Sequence, residues 1–152
     1  MTTTADHILK GTFASLPITV DVPTQRICDM LVGAFEGGSN YWYSELHYDL
    51  PEGITYDDFR EGGKFTDPDN YHHPLELVPF VDGCALTLKD AEGDEPDKVY
   101  RIDKAALLKG LKLFAKDEKL KHHWRDFIDE NDDAITADVF LQFVVFGECI
   151  YG

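Results

Sequence analysis

Apolar residues recur along this chain with two periods, and the periods divide it into elements. Over 24–35, TQRICDMLVGAF places Ile27, Met30, Leu31 and Ala34 at i, i+3, i+4 and i+7. That spacing predicts a helix with one buried stripe, capped by Thr24. Gly37-Gly38 ends it, since glycine takes a left-handed cap at no steric cost. NYWYSELHYDL (40–50) alternates instead, with Trp42, Leu46 and Tyr48 on one strand face and Tyr41, Tyr43, Glu45 and His47 on the other. LELVPFV (75–81) and CALTLKD (84–90) read as strands, AEGDEPD (91–97) as a turn and KVYRID (98–103) as the hairpin partner. Asp103 then caps a helix whose apolar positions are Ala105, Leu108, Leu111 and Leu113. LKHHWRDFIDEN (120–131) predicts another, with Leu120, Trp124, Phe127 and Ile128 inward. Asp132 or Asp133 caps a last helix, TADVFLQFVVFGE, which is apolar almost all round and therefore central; Gly147 stops it.

The remaining stretches are less regular. Residues 1–5 read as frayed, Asp6 to Ser15 as a short helix with Ile8, Leu9 and Phe13 on one side, and PITVDVP (17–23) as a strand between prolines. Residues 51–74 form a long polar loop rich in Gly, Pro and Asp, of the kind that is often functional or mobile. The order predicts an α+β fold: one domain over 1–152, with an antiparallel sheet and a β-hairpin packed against about four helices.

Composition narrows the function classes. The chain has 152 residues, 43% of them hydrophobic, enough for a core without disulfide staples and too apolar for a disordered acidic tail. Cys28, Cys84 and Cys149 lie far apart without a CxxC pair, which suits a reducing cytoplasm. No run is long enough to span a membrane, and the first residues lack the basic start and apolar core of a signal peptide. A secreted disulfide scaffold, a membrane span and direct nucleic-acid binding are therefore not expected.

The charge is the strongest compositional signal. The chain carries 29 Asp and Glu against 14 Lys and Arg, a net charge of −15 that repels polyanions. Only 101–125 is net basic. There Lys104, Lys109, Lys112, Lys116, Lys119 and Lys121 read as a solvated helix face that pairs internally with the acidic remainder. The acids crowd in three blocks. Asp57, Asp58, Glu61, Asp67 and Asp69 lie in the polar loop, Glu92, Asp94 and Glu95 in the hairpin, and Asp129, Glu130, Asp132 and Asp133 at a helix junction. Joined on one face, they would imitate the negative charge of a duplex backbone and fill a basic channel in a partner, with salt-sensitive affinity. The plainer alternative is that they keep the protein soluble.

Candidate chemistry is sparse. Glu36-Gly37-Gly38-Ser39-Asn40-Tyr41-Trp42-Tyr43 combines close backbone approach, a carboxamide and rings that can stack on a base. It is no phosphate loop, because it follows a helix and lacks the Lys-Ser/Thr ending. Its residues serve equally to end a helix and fill a core. His72-His73 and His122-His123 are pairs whose neighbouring side chains point apart, so neither chelates a metal alone. DENDD lacks the central glycine and closing glutamate of a calcium loop. Ser15, Ser39 and Ser44 lie outside any G-x-S-x-G, and Cys149 reads as a structural thiol. The expectation is no enzyme, no metal and no cofactor.

Two segments carry a resemblance. Gly37, Gly38, Asn40, Tyr41 and Trp42 near the front, with Thr136, Ala137, Asp138, Leu141, Gln142, Phe146, Gly147, Glu148, Tyr151 and Gly152 at the end, resemble a group of small uncharacterised proteins of bacteriophages and other mobile elements. That resemblance implies a genetic setting in which small acidic proteins often inhibit host defence, as anti-CRISPR DNA mimics or nucleotide sponges do. The leading expectation is a phage-type inhibitor in the bacterial cytoplasm, monomer or dimer, that blocks a host nucleic-acid-handling or defence complex. A second is a sponge for a small nucleotide, with Glu36, Asn40, Tyr41, Trp42, Glu148 and Tyr151 as candidate ligand-binding residues and bases of 101–125 on the phosphates. A third is a metal- or histidine-dependent enzyme.

Overall fold

The computed structural model describes residues 9, 10, 12, 14, 19–70 and 72–152. Helix α1 (Thr24–Gly33) runs into one π-helical turn over Ala34–Gly38. Strand β1 (Tyr43–Asp49), a 3-10 turn (Tyr56–Phe59) and the short α2 (Pro74–Leu77), which continues as a 3-10 turn (Val78–Phe80), follow. Then come β2 (Ala85–Asp90), β3 (Val99–Ile102), α3 (Lys104–Lys116), α4 (Lys121–Ile128) and α5 (Ala134–Phe146). The strands make one antiparallel sheet in the order β1-β2-β3, so the fold is α+β with the hairpin at β2-β3.

Helix α5 is the centre of the molecule. Every residue from Thr136 to Phe143 is buried. The helix packs on α1, α3, α4, the π turn and β3. Its ends are set locally. Asp133 accepts a hydrogen bond from the Thr136 N–H at 2.9 Å, and Gly147 takes φ +78° as the C-cap. Asp103 caps α3 in the same way, accepting from Ala106 N at 2.9 Å. Gly110 lets α3 cross close to α5, because a Cβ there would stand 2.5 Å from Val144 Cα.

Several sequence expectations are corrected. Pro23, not Thr24, is the N-cap of α1. Gly37 and Gly38 do not form a left-handed cap: the helix widens into a π turn that ends at Ser39, φ −107°. Gly38 is needed for close approach, because a Cβ there would overlap the Ala134 carbonyl oxygen.

The aromatic strand begins at Tyr43, after a turn that holds Trp42. A bulge between Ser44 and His47, with Glu45 at φ +51°, breaks the expected alternation. Tyr43 is thereby turned to the core side with Leu46 and Tyr48, its ring edge-on to Phe35 at 5.2 Å.

Residues 75–80 of the strand expected over 75–81 are helical, and Val81 is the extended C-cap. Pro74 opens α2, and His73 and Glu76 form a capping box, with His73 N–H donating to Glu76 Oε2 at 2.7 Å. In α3 the inward residues are Leu107, Gly110 and Phe114; Ala105 and Leu108 are exposed. In α4 Phe127 is buried and Ile128 exposed. The polar loop is anchored: Phe59 is fully buried, stacks on Phe65 at 4.9 Å, and follows a Thr55–Asp58 capping box. Residues 19–23 pair with no strand. The rest of the strand expected over 17–23, residues 1–5 and most of the Asp6–Ser15 helix lie outside the described residues. Among the described residues no helix is long and apolar enough to cross a membrane.

Candidate functional site

The two segments singled out in the sequence meet at Asp138. This side chain projects from the middle of α5 and is 5% exposed. Its Oδ1 accepts from Ser39 Oγ and from Trp42 Nε1, each at 2.7 Å. Its Oδ2 accepts from the Tyr41 hydroxyl at 2.6 Å and from Gln142 Nε2 at 3.0 Å. Four neutral donors thus hold one carboxylate, with no cation paired to it among the described residues. Each hydrogen bond to a charged group contributes about 1.5–3 kcal/mol, and a donor left alone in the core costs a comparable amount. The chain order explains the convergence: the π turn ends at Ser39, a tight turn carries Tyr41 and Trp42, and Gly38 lets that turn lie against the start of α5.

Gln142 extends the network one helical turn on. Its Oε1 accepts from Ile150 N at 2.9 Å and Tyr151 N at 2.8 Å, and its Nε2 donates to Tyr151 O at 3.1 Å. The tail is thereby folded back on α5, and the Tyr151 ring stacks on Trp42 at 6.1 Å. The Tyr151 hydroxyl donates to Asp90 Oδ2 at 2.7 Å, while Asp90 Oδ1 accepts from Glu92 N at 3.0 Å. One continuous set of bonds therefore ties the π turn, α5, the tail and the hairpin. Burial, reinforced by the hydrogen bond to Asp138, pushes the Tyr41 phenol above its ordinary range. Burial and Asp90 push Tyr151 up to about 12.

This geometry sorts the candidate ligand residues. Tyr41, Trp42 and Tyr151 come together, but their polar atoms are engaged within the protein. Glu36, Asn40 and Glu148 are exposed and have no hydrogen-bond partner among the described residues. The sequence reading missed Ser39, Asp90, Asp138 and Gln142 as members of the cluster. A signal was present: Asp and Gln at i and i+4 inside an apolar helix must find partners, because a bare buried polar group is costly.

The acids divide as well. Asp58 and Asp133 cap helical turns, Asp67 accepts from Asp69 N, and Asp132 pairs with Arg26. The backbone N–H of Thr136 is the main reason that the Asp133 carboxyl lies below its ordinary range. Asp57 and Glu95 make exposed pairs with Arg60 at 3.4 Å and Lys98 at 3.6 Å. Glu61, Asp69, Glu92, Asp94, Asp129 and Glu130 have no side-chain partner among the described residues.

The blocks are also spread. Tyr43 pairs with Asp90 at the hairpin end of the sheet, and Asp49 with Ala85 at the end where the polar loop leaves. At about 3.3 Å per residue these ends are ~17 Å apart. Asp57 and Glu61 border one hollow, and Glu92, Asp94 and Glu95 border another.

The hairpin acids border a hollow. Its volume is about 330 Å³; Asp90, Glu92, Asp94 and Glu95 line it together with Tyr100, Phe146 and Tyr151. The Lys98 ammonium lies 5.0 Å over the Tyr100 ring. No basic residue lines the hollow itself. Carboxylates and aromatic rings lining one hollow have the chemistry that takes up a guanidinium or ammonium group.

The histidines and cysteines have local roles. His73 caps α2, His72 lies 3.7 Å from Glu76, and His123 Nδ1 is 3.1 Å from Thr136 Oγ1. Burial, with His122 beside it, holds His123 below the usual imidazole range. Among the described residues no group of three His, Cys, Asp or Glu side chains is placed to hold a metal. Cys28 and Cys84 are buried, and burial pushes Cys28 up to about 11.

The basic stretch departs from expectation. Lys121 pairs with Glu118 at 3.7 Å, but Lys104, Lys109, Lys112, Lys116 and Lys119 stand exposed with no ion pair to a described residue.

Compared with known proteins, the chain matches no protein-family model, no curated protein and no solved structure.

Proposed function

We propose that this chain is a phage-type binding protein that blocks a nucleic-acid-handling or defence complex of a bacterial host from within the cytoplasm. It docks by its acidic surface on a basic site of that complex. The observation that carries this reading is the hairpin hollow, where Glu92 and Asp94, without a side-chain partner among the described residues, line one space with Asp90, Glu95, Tyr100, Phe146 and Tyr151. A nucleic-acid channel presents Arg and Lys to phosphates, and the hollow offers such a side chain carboxylates and aromatic rings together, a combination that the chain's own Lys98 already uses against Tyr100 and Glu95. The net charge of −15 speeds encounter with a basic partner.

The sponge reading has less behind it. Its aromatic residues are tied to Asp138 and Asp90, and the hollow beside Tyr151 would set carboxylates against phosphates.

The test is capture from host lysate by tagged protein, with Glu92→Lys, Asp94→Lys and Glu95→Lys combined in one variant. The expected result is a salt-sensitive complex with wild type that the variant fails to capture while keeping its melting temperature. Capture that survives reversal of the hairpin, and of the other two blocks in turn, sinks the reading.

A further inference from the structure

A second surface has the opposite character. Beside α3 lies a hollow of about 460 Å³ lined by Val20, Val22, Leu111, Lys112, Ala115 and Trp124. Leu108, one turn before Leu111 on the same flank, is 52% exposed, and Val20 is 46% exposed. Lys109, Lys112 and Lys116 follow one another at i, i+3 and i+7, so a basic ridge runs beside the apolar one. None of the three has an ion pair with a described residue. Lysines without an ion pair among the described residues are conspicuous in a chain with 29 acids and 14 bases.

We propose that this hollow docks an acidic amphipathic segment of a partner protein. Apolar side chains of the segment fill the space between Leu111, Ala115 and Trp124, and its carboxylates meet Lys112 and its neighbours. Charge complementarity selects the occupant. Asp21, between Val20 and Val22, is the acid that the chain places beside the hollow, and Lys109, Lys112 and Lys116 outnumber it. With a screening length of about 8 Å at physiological salt, a docking segment senses this local basic excess more than the net charge of the chain. Concavity favours inserted side chains over a flat lipid surface, and the paired apolar and basic ridges match a helix laid in a groove. The inference does not depend on the hairpin reading, because it uses a different surface and opposite charge.

The test uses the full chain and a labelled amphipathic peptide of about four helical turns, with leucine on one stripe and glutamate elsewhere. Anisotropy is followed together with the fluorescence of Trp124, whose companion Trp42 is fully buried. The expected result is saturable binding that blue-shifts Trp124 and weakens at least ~tenfold in Ala115→Glu and in Lys112→Glu. Both positions are exposed, so the fold tolerates them. The hairpin-reversed variant binds the peptide as wild type does, which separates this inference from the proposed function.

Absence of saturable binding, or binding indifferent to both substitutions, overturns it. Preference for anionic vesicles over the peptide overturns it in favour of a lipid surface. Self-association abolished by Ala115→Glu assigns the hollow to a second copy instead. Binding that emerges only in an Ile8→Asp, Phe13→Asp variant assigns it to the chain's own leading residues.

Discussion

Asp138 and Asp94 are the same side chain in opposite circumstances. Asp138 is buried in the middle of an apolar helix and accepts from Ser39, Tyr41, Trp42 and Gln142. Asp94 stands at a hairpin tip, borders a hollow and accepts from nothing described. A carboxylate whose acceptor sites are all taken has no capacity left for a ligand and acts on the fold. One with every site free leaves the fold almost indifferent and can act only on something outside. The most pointed sequence motif of the chain therefore belongs to the architecture, and the less patterned acids of the hairpin are the ones left without internal bonds among the described residues.

The largest expected effect breaks the buried side of this contrast. Asp138→Ala strands the Trp42 N–H and the Ser39 hydroxyl in the core. It should lower unfolding stability by about 3 kcal/mol or more in chemical denaturation. Gly38→Ala comes next: its Cβ would collide with the Ala134 carbonyl, and overpacking of this kind costs about 1–3 kcal/mol. Tyr41→Phe removes the bond that the hydroxyl donates to Asp138 and the longer one, 3.4 Å, that it accepts from Gln142 Nε2, at a half-exposed ring, and should cost about 1 kcal/mol. At the other extreme, reversing Glu92, Asp94 and Glu95 should change stability by no more than about 0.5 kcal/mol while abolishing partner capture.

Alkaline titration sharpens the contrast. The Tyr41 and Tyr151 phenols are raised above the ordinary value near 10, Tyr151 to about 12. Above pH 10 the unfolded chain releases these protons before the folded chain does. The stability they contribute is thus full below pH 10 and is lost as pH rises from 10 towards 12. Replacing Tyr41 by Phe should flatten this limb in denaturation midpoints taken across that window, whereas the hairpin reversal should leave its shape unchanged.

How legible this was differed by element. The stripe of α1, the β2-β3 hairpin and the caps Asp103, Asp133 and Gly147 follow from local rules, and the structure has all of them. Residues 75–81 misled because apolar content outweighed the Pro74 and Glu76 start signal. In α3 the lysines lie outward and Leu111 and Leu113 pack on the core as expected, but Ala105 and Leu108 are exposed; Leu107, Gly110 and Phe114 form the buried line, and Gly110 marks it because a neighbouring backbone approaches there. Phe59 lay unnoticed because nothing local announces that one ring in a polar stretch is the anchor of that stretch. The meeting of the GGSNYW and FGECIYG ends is a tertiary fact, but its centre was readable: an Asp and a Gln one turn apart in an apolar helix require donors from elsewhere. The distribution of the acidic blocks depended on strand register and was beyond any reading of charge along the chain.

The central claim is that the buried carboxylate maintains the fold and the hairpin carboxylates bind a partner. Capture from host lysate, run side by side at low and ~0.5 M salt, tests it most directly. Three proteins are compared: wild type, the Glu92→Lys, Asp94→Lys, Glu95→Lys variant, and Asn40→Ala in the exposed part of the aromatic segment. The account predicts that wild type and Asn40→Ala retain the same salt-sensitive complex and that the hairpin variant, equally stable, loses it. Loss of the partner with Asn40→Ala, and its retention by the hairpin variant, would contradict the account.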